Sequence, residues 1–438
     1  MKKQAIAMKP SLIAAALAAV FASAQPAQAQ TAKDFEDMRQ EIKRLRDEVN
    51  ALKQAAPAAN AAKATDKSSD TTGWGERIEQ LEIKAKDAVV LGDIGGGFRL
   101  PGSETSVRLY GYAEANLVHD FKAFAGPDNF TNLSSQPLDN SGAAKGRTKL
   151  TAETSRFGFE TSTPTGVGTF NTKLEMDFYS YGGGNRNRLR LRHAYGEYAG
   201  WLIGQTWSTF MDLDNLPETV DFNGPIGAPF SRRTMIRYTY ADAKEGNKFT
   251  VALEDPEDQF GGGSSNEKMP QLIARFDKTF GWGALNARVL AHEKRSSTET
   301  KRGFGIGVGG SYKLTDKDVL MGQYTRVDGD VDQLYGSNGY AIDATTGAIT
   351  FDKNQGLVVG YAKTFSDQLR GNLVFGMNRG KTAQAVDNRT LTQFHVGLIY
   401  SPLKNVELGG ELILGKRKTF TDDTGTMSRF DLMGRYSF

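Results

Sequence analysis

The sequence predicts an all-β transmembrane barrel of about sixteen antiparallel strands, preceded by an N-terminal α-helical coiled coil. Three observations carry this. From about residue 106 to the end, period-two segments are separated by Gly-, Asn- and Asp-rich breaks. The breaks sort by parity into short turns (TPTG, AG, GW, SD, SPLKN) and long stretches (120–146, 211–230, 255–268, 330–353). A barrel with turns at one rim and loops at the other has that asymmetry, and a sandwich has no reason for it. Residues 33–54 carry a heptad pattern instead.

In chain order, residues 1–29 read as a secretory signal. Lys2, Lys3 and Lys9 precede an apolar run from Leu12 to Phe21, and Ala27-Gln28-Ala29 is a small-residue cleavage site. The net charge of +3 falls to zero once these three lysines are removed, so the basic balance says nothing of nucleic acid. The absence of cysteine excludes thiol catalysis and thiolate metal sites. The four histidines, 119, 193, 292 and 395, share no metal-ligand spacing. No later segment offers the ~18 consecutive apolar residues of a spanning helix, which excludes an inner-membrane helical protein but not a barrel.

Residues 30–54 form the coiled-coil segment. Phe35, Met38, Ile42, Leu45, Val49 and Leu52 are spaced alternately three and four apart. Asp34, Glu41 and Glu48 fall at g; Arg39, Arg46 and Lys53 fall at e. In a parallel bundle each g acid then faces an e base of its neighbour, which specifies an oligomer without fixing its number. Residues 55–105 read as a linker with a short helix, the Ala-, Pro- and Ser-rich part of which reaches about 25 Å as a random coil.

The barrel spans 106–438. Its strands are expected near 106–119, 147–162, 166–181, 186–199, 200–210, 231–241, 246–255, 269–280, 282–295, 302–314, 317–329, 354–366, 368–380, 389–401, 404–418 and 427–438. The last alternates Phe430, Leu432, Gly434, Tyr436 and Phe438 with Arg429, Asp431, Met433, Arg435 and Ser437. An edge strand so apolar on one face invites aggregation unless the sheet closes.

The stretch RNRLRLRHAY places Arg186, Arg188, Arg190 and Arg192 on one face and Leu189 and Leu191 on the other. Pairing it with the preceding strand across GGGN sets Tyr179 opposite Arg188, Asp177 opposite Arg190 and Glu175 opposite Arg192, with Phe178 and Met176 against the leucines. His193 then falls on the leucine face. A lipid-facing arginine costs about 2–4 kcal/mol near the midplane. Two or three would remove most of a stability of roughly 5–15 kcal/mol. The arginines therefore point into a lumen, with Arg156 and Arg237 as further basic-wall candidates and Glu175 and Asp177 as lumen acids. The stretch 211–230 is acidic at Asp212, Asp214, Glu218 and Asp221. Folded inward opposite a basic wall, it would form a constriction selecting by size and charge.

SRFGFETSTPTGVGTFNTKLE (155–175) resembles the second and third strands of general bacterial porins, and DNLPE (214–218) is similar to the tip of their constriction loop. The terminal aromatic Phe438 matches their outer-membrane assembly signal. By that resemblance Arg156 and Arg190 belong to a basic wall, and Asp214 and Glu218 to an acidic loop. The heptads, with FRLPGSETSVRLYGYAEANL (98–117) and GQTWSTFMDLDNLPETVDFNGPIG (204–227), resemble the DcaP-like porins over nearly the whole mature chain. The resemblance implies a homotrimer in outer-membrane lipid, a preference for small anionic solutes such as dicarboxylates, and no cofactor. The coiled coil would then stand in the periplasm. Two alternatives remain at this point. An envelope-tethering barrel would use its helices to reach cell-wall polymer. An outer-membrane hydrolase would need Ser or Asp beside His, and His119, His193 and His395 have no evident partner, so all four histidines are read as structural.

Overall fold

The computed structural model describes Arg44 and residues 90–124, 130–179, 188–258, 265–381 and 388–438. The chain divides into two units, Met1–Ala88 and Val89–Phe438. In the first, Arg44 is helical and exposed. The signal segment, the six seam residues from Phe35 to Leu52 and the expected short helix lie outside the described residues.

The second unit realises the period-two alternation as sixteen strands. They are β1 (Ser106–Asp120), β2 (Arg147–Thr151 continuing as Arg156–Thr165), β3 (Gly168–Asp177), β4 (Arg190–Tyr198), β5 (Trp201–Trp207), β6 (Arg232–Asp242), β7 (Asn247–Glu254) and β8 (Gln271–Phe280). Then follow β9 (Gly283–Arg295), β10 (Thr300–Lys313), β11 (Asp318–Asp328), β12 (Lys353–Ser366), β13 (Leu369–Arg379), β14 (Asn388–Leu403), β15 (Val406–Thr419) and β16 (Thr424–Ser437). Each pairs antiparallel with the next, and β16 returns to β1 from Arg429↔Asp120 to Ser437↔Tyr112. Phe438 and Gly111 exchange backbone hydrogen bonds at 3.0 and 3.2 Å, which finishes the seam. A closed sheet satisfies every strand's backbone without water, the condition for spanning a bilayer.

The two faces separate as the alternation demands. On β9, Leu285 and Val289 are 48% and 53% exposed, while Asn286, Arg288 and Leu290 on the opposite phase are buried. Exposed Phe304, Ile306 and Val308 repeat this on β10. The apolar side is the lipid side and the polar side lines the interior. Aromatic rings gather at the short-turn rim: Trp201 lies 4.9 Å from Tyr238, and Phe280 stacks 4.7 Å from Trp282. Girdles of this kind sit at membrane interfaces.

Three details depart from the sequence expectation. The β3–β4 connection runs from 178 to 189 rather than turning tightly at GGGN. Tyr179 does not face Arg188 across a hairpin; it is drawn inward, stacked 5.4 Å from Phe130 and tilted 5.2 Å from Phe222. The Asp177↔Arg190 and Met176↔Leu191 pairs form as expected, but a bulge then makes His193, not Arg192, the backbone partner of Glu175. The extra residue brings His193 round to the carboxylate side, with Nε2 3.7 Å from Glu175, and its Nδ1 meets Thr206 at 2.9 Å. Lastly, part of the expected linker is sheet. Val90–Leu91 pairs with Phe98–Arg99, which pairs with Ser106 and Val107 at the foot of β1.

Long connections at the other rim fold into the barrel. Residues 208–231 lie against its inner wall. Around them Phe130 and Leu133 of the β1–β2 loop and Tyr335 of the β11–β12 loop pack with Tyr179, Ile226, Leu391, Ile413 and Met427 in an apolar cluster.

Candidate functional site

The basic wall starts from one cross-strand row, with Phe222 of the inward loop 5.6 Å from Arg190. Arg156 of β2, Asp177 of β3 and Arg190 of β4 are direct partners. Arg190 grips Asp177 with both arms, Nε to Oδ1 at 2.9 Å and NH2 to Oδ2 at 2.6 Å. Arg192 bridges the two acids, 2.6 Å from Glu175 and 2.8 Å from Asp177. Arg156 stands 3.4 Å from Glu175, whose other oxygen accepts from Tyr110 at 3.0 Å. The carboxylates are nearly sealed, with side-chain exposures of 6% and 0%, while Arg156 and Arg190 keep 21% and 29%. A visiting solute therefore meets guanidinium, not carboxylate. Arg232 adds a further cation, stacked 3.6 Å over Trp207, whose ring lies 5.7 Å from Arg192.

The six basic-wall candidates separate by position. Arg156 and Arg190 face open space, and Arg192 is buried as the tie between the acids. Arg188 is exposed at the foot of the β3–β4 loop, and Arg186 lies outside the described residues. Arg237 stands apart on β6, 3.9 Å from Glu197. There it lines a cavity of about 470 Å³ with Lys248, Arg275, Asp214, Trp207 and Thr239, on the short-turn side of the loop.

The loop acids separate as well. Asp212 is buried, accepting from Asn286 at 2.6 Å and Asn215 at 3.0 Å, with Arg275 3.7 Å away. Asp221 is buried, accepting from the Thr131 amide at 3.0 Å, while its own amide donates to Glu411 at 2.9 Å. Only Asp214 and Glu218 of the four reach open space, with side-chain exposures of 71% and 42%. Each has an arginine: Asp214 stands 3.5 Å from Arg275, and Glu218 takes both arms of Arg370 at 2.8 Å. The loop is thus acidic in sequence but locally compensated.

The structure explains how that loop is held. Arg288 donates to the Phe210 carbonyl at 2.8 Å, Gln323 to the Asp212 carbonyl at 3.1 Å, and the Ile226 amide to Gln393 at 3.0 Å. Between these anchors the wall offers glycines where the loop touches it. A Cβ on Gly309 would overlap Asp212, one on Gly360 would overlap Pro217, and ones on Gly356 and Gly376 would overlap the carbonyls of Gly227 and Ile226. Sequence reading did not pick out Arg275, Arg288, Arg370 or Gln393. Each is one polar residue among several on the inward phase of its strand, beside Asp277, Asn286, Asn372 and His395 respectively, and nothing in such a row marks which member will meet the loop.

The DcaP outer membrane protein family model matches residues 99–438. The crystal structure of the outer membrane channel DcaP of Acinetobacter baumannii superposes with a TM-score of 0.70 at 29% identity, covering 80% of this chain and 100% of that one. An anion-selective porin from Comamonas acidovorans shares the fold at 16% identity (TM-score 0.53, 76% of this chain, 100% of that one). OmpF of Salmonella typhi, in complex with daunomycin, does so at 14% identity (TM-score 0.54, 76% and 98%). No curated protein sequence matches the chain. A closed sixteen-stranded barrel with an apolar outside, and a family match running from the foot of the barrel to its last residue, place this chain in the DcaP outer membrane protein family, as an outer-membrane porin.

Proposed function

We propose that this porin passes small anionic solutes, dicarboxylates among them, by passive diffusion along its guanidinium-lined wall. The observation that carries the reading is the pairing geometry at β2–β4. Glu175 and Asp177 are spent on holding Arg156, Arg190 and Arg192 in place, so the face turned to open space is cationic. Guanidinium binds carboxylate by charge and by paired hydrogen bonds. Weak successive sites let the solute leave again. The carboxylates of Asp214 and Glu218 narrow the passage without cancelling that face, since each is engaged by its own arginine.

The working unit under this reading is a homotrimer, joined through the heptads of residues 30–54 on the periplasmic side, with residues 1–29 removed on export and no cofactor. Reversal potential in a planar bilayer under a salt gradient tests the solute class. Anion selectivity is expected, with succinate reducing chloride current at millimolar concentration. Cation selectivity that persists unchanged in Arg156→Ala/Arg190→Ala would overturn it.

A further inference from the structure

Arg370 of β13 has the geometry of a carboxylate receptor, and the chain's own carboxylate fills it. Its Nε and NH2 donate to Glu218 at 2.8 Å, one to each oxygen. That is the two-bond fork by which guanidinium grips a carboxylate. NH1 donates to Ser401 Oγ at 3.2 Å, and NH2 also donates to Glu407 at 2.6 Å. The other oxygen of Glu407 accepts from Arg435 at 3.2 Å, so one wall acid holds two guanidiniums side by side. Arg435 in turn lies 4.6 Å over the ring of Tyr112, and Arg156 of the basic wall lies 5.1 Å over the same ring. The basic wall therefore continues from β2 across β1 and β16 to Arg370.

The other acid at the loop tip has no such receptor. Arg275 meets Asp214 only at 3.5 Å, is 10% exposed, and is occupied by both oxygens of Asp277 and by the Met211 carbonyl. Arg370 keeps 33% exposure. An ion pair this open to water is weakly held. Parting it does not require the loop to move. Leu216 packs on Ala228, Val358 and Val374, Pro217 lies against Gly360, and Val220 packs on Ile399 and Met433. With its neighbours pinned, Glu218 has only to change rotamer, which exposed side chains do within nanoseconds.

We infer that Arg370, with Arg435 beside it, is a binding station for carboxylate solutes, and that Glu218 masks it as a resident competitor. The inference rests on the anion reading of the pore. A dicarboxylate suits the station, since one carboxylate displaces Glu218 from Arg370 while the other meets Arg435. When the solute moves on, Glu218 returns to the fork, so the station does not trap its cargo. Apparent affinity is the intrinsic affinity reduced to the fraction of time the fork is free. An exposed pair is favoured over its open form by about one- to fivefold, so the mask weakens solute binding about two- to sixfold.

The test uses the full-length protein in planar bilayers, with succinate as the probe and heat-modifiable mobility to show that each variant is a folded barrel. The succinate concentration that halves the chloride current is measured for wild type, Glu218→Gln, Glu218→Ala, Arg370→Gln and Glu218→Gln/Arg370→Gln. Glu218→Gln and Glu218→Ala should each lower it about two- to sixfold. With Arg370→Gln already in place, adding Glu218→Gln should lose most of that gain, because the fork it would free is gone. An equal gain in both backgrounds overturns the mask, since Glu218 would then act only through its charge on the whole lumen. A wild type that succinate blocks, with no gain in Glu218→Gln or Glu218→Ala, overturns the mask and leaves the anion reading standing. A wild type that succinate does not block overturns both.

Discussion

Arg190 and Arg192 are two positions apart on β4 and answer to different forces. Arg192 is 4% exposed and ties two sealed carboxylates, so Arg192→Ala leaves buried charge without its partner. Breaking such a pair costs about 3–5 kcal/mol, which urea unfolding in micelles should register. Arg190 keeps 29% exposure, and Arg190→Ala with Arg156→Ala should chiefly lower the anion-to-cation permeability ratio, read from the reversal potential. Glu218→Gln should do the reverse, because it uncovers Arg370 at the passage. Arg190 was legible because four arginines repeat at every second position. Arg370 was not, because nothing near it in sequence announces which residue of a loop 152 positions earlier it will meet. His193 was misplaced by one face because a bulge inserts a residue that no alternation rule foresees.

At the scale of the element, the inward loop is a docked structure rather than a free strand of chain. Its path follows positions on β10, β12 and β13 where the wall has no side chain. Gly376→Val should therefore push the Ile226 backbone off the wall. The expected loss is about 1–3 kcal/mol, as for other overpacked sites. Single-channel conductance should fall with it, since the displaced loop has only the lumen to enter. The acidity of the loop was plain in MDLDNLPETVD, and so was its length. Its compensation was not, because the arginines that answer it come from β8 and β13. The inward folding of the β1–β2 and β11–β12 loops also went unseen. Phe130 and Leu133 are isolated apolar residues in a polar stretch, Tyr335 has only Leu334 beside it, and only their meeting inside the barrel makes Phe130, Leu133 and Tyr335 a cluster.

For the whole molecule, loop parity and alternation sufficed to place sixteen strands within a few residues of their observed bounds, because register in a barrel is fixed by which face meets lipid. The hairpin at 90–99 escaped because two-residue arms are too short to show any period. If residues 30–54 join three copies, their deletion should leave heat-modifiable barrels that sediment as smaller oligomers. The seam has a consequence for how the molecule is made. Every other ladder links neighbours in sequence, while Gly111 must wait for Phe438, at the far end of the barrel sequence. Closure therefore cannot begin until the sixteenth strand exists. The chain has to reach its membrane open and be kept from aggregating on the way. Shortening it by one aromatic residue would leave a polar gap in the cylinder that hydrocarbon cannot fill.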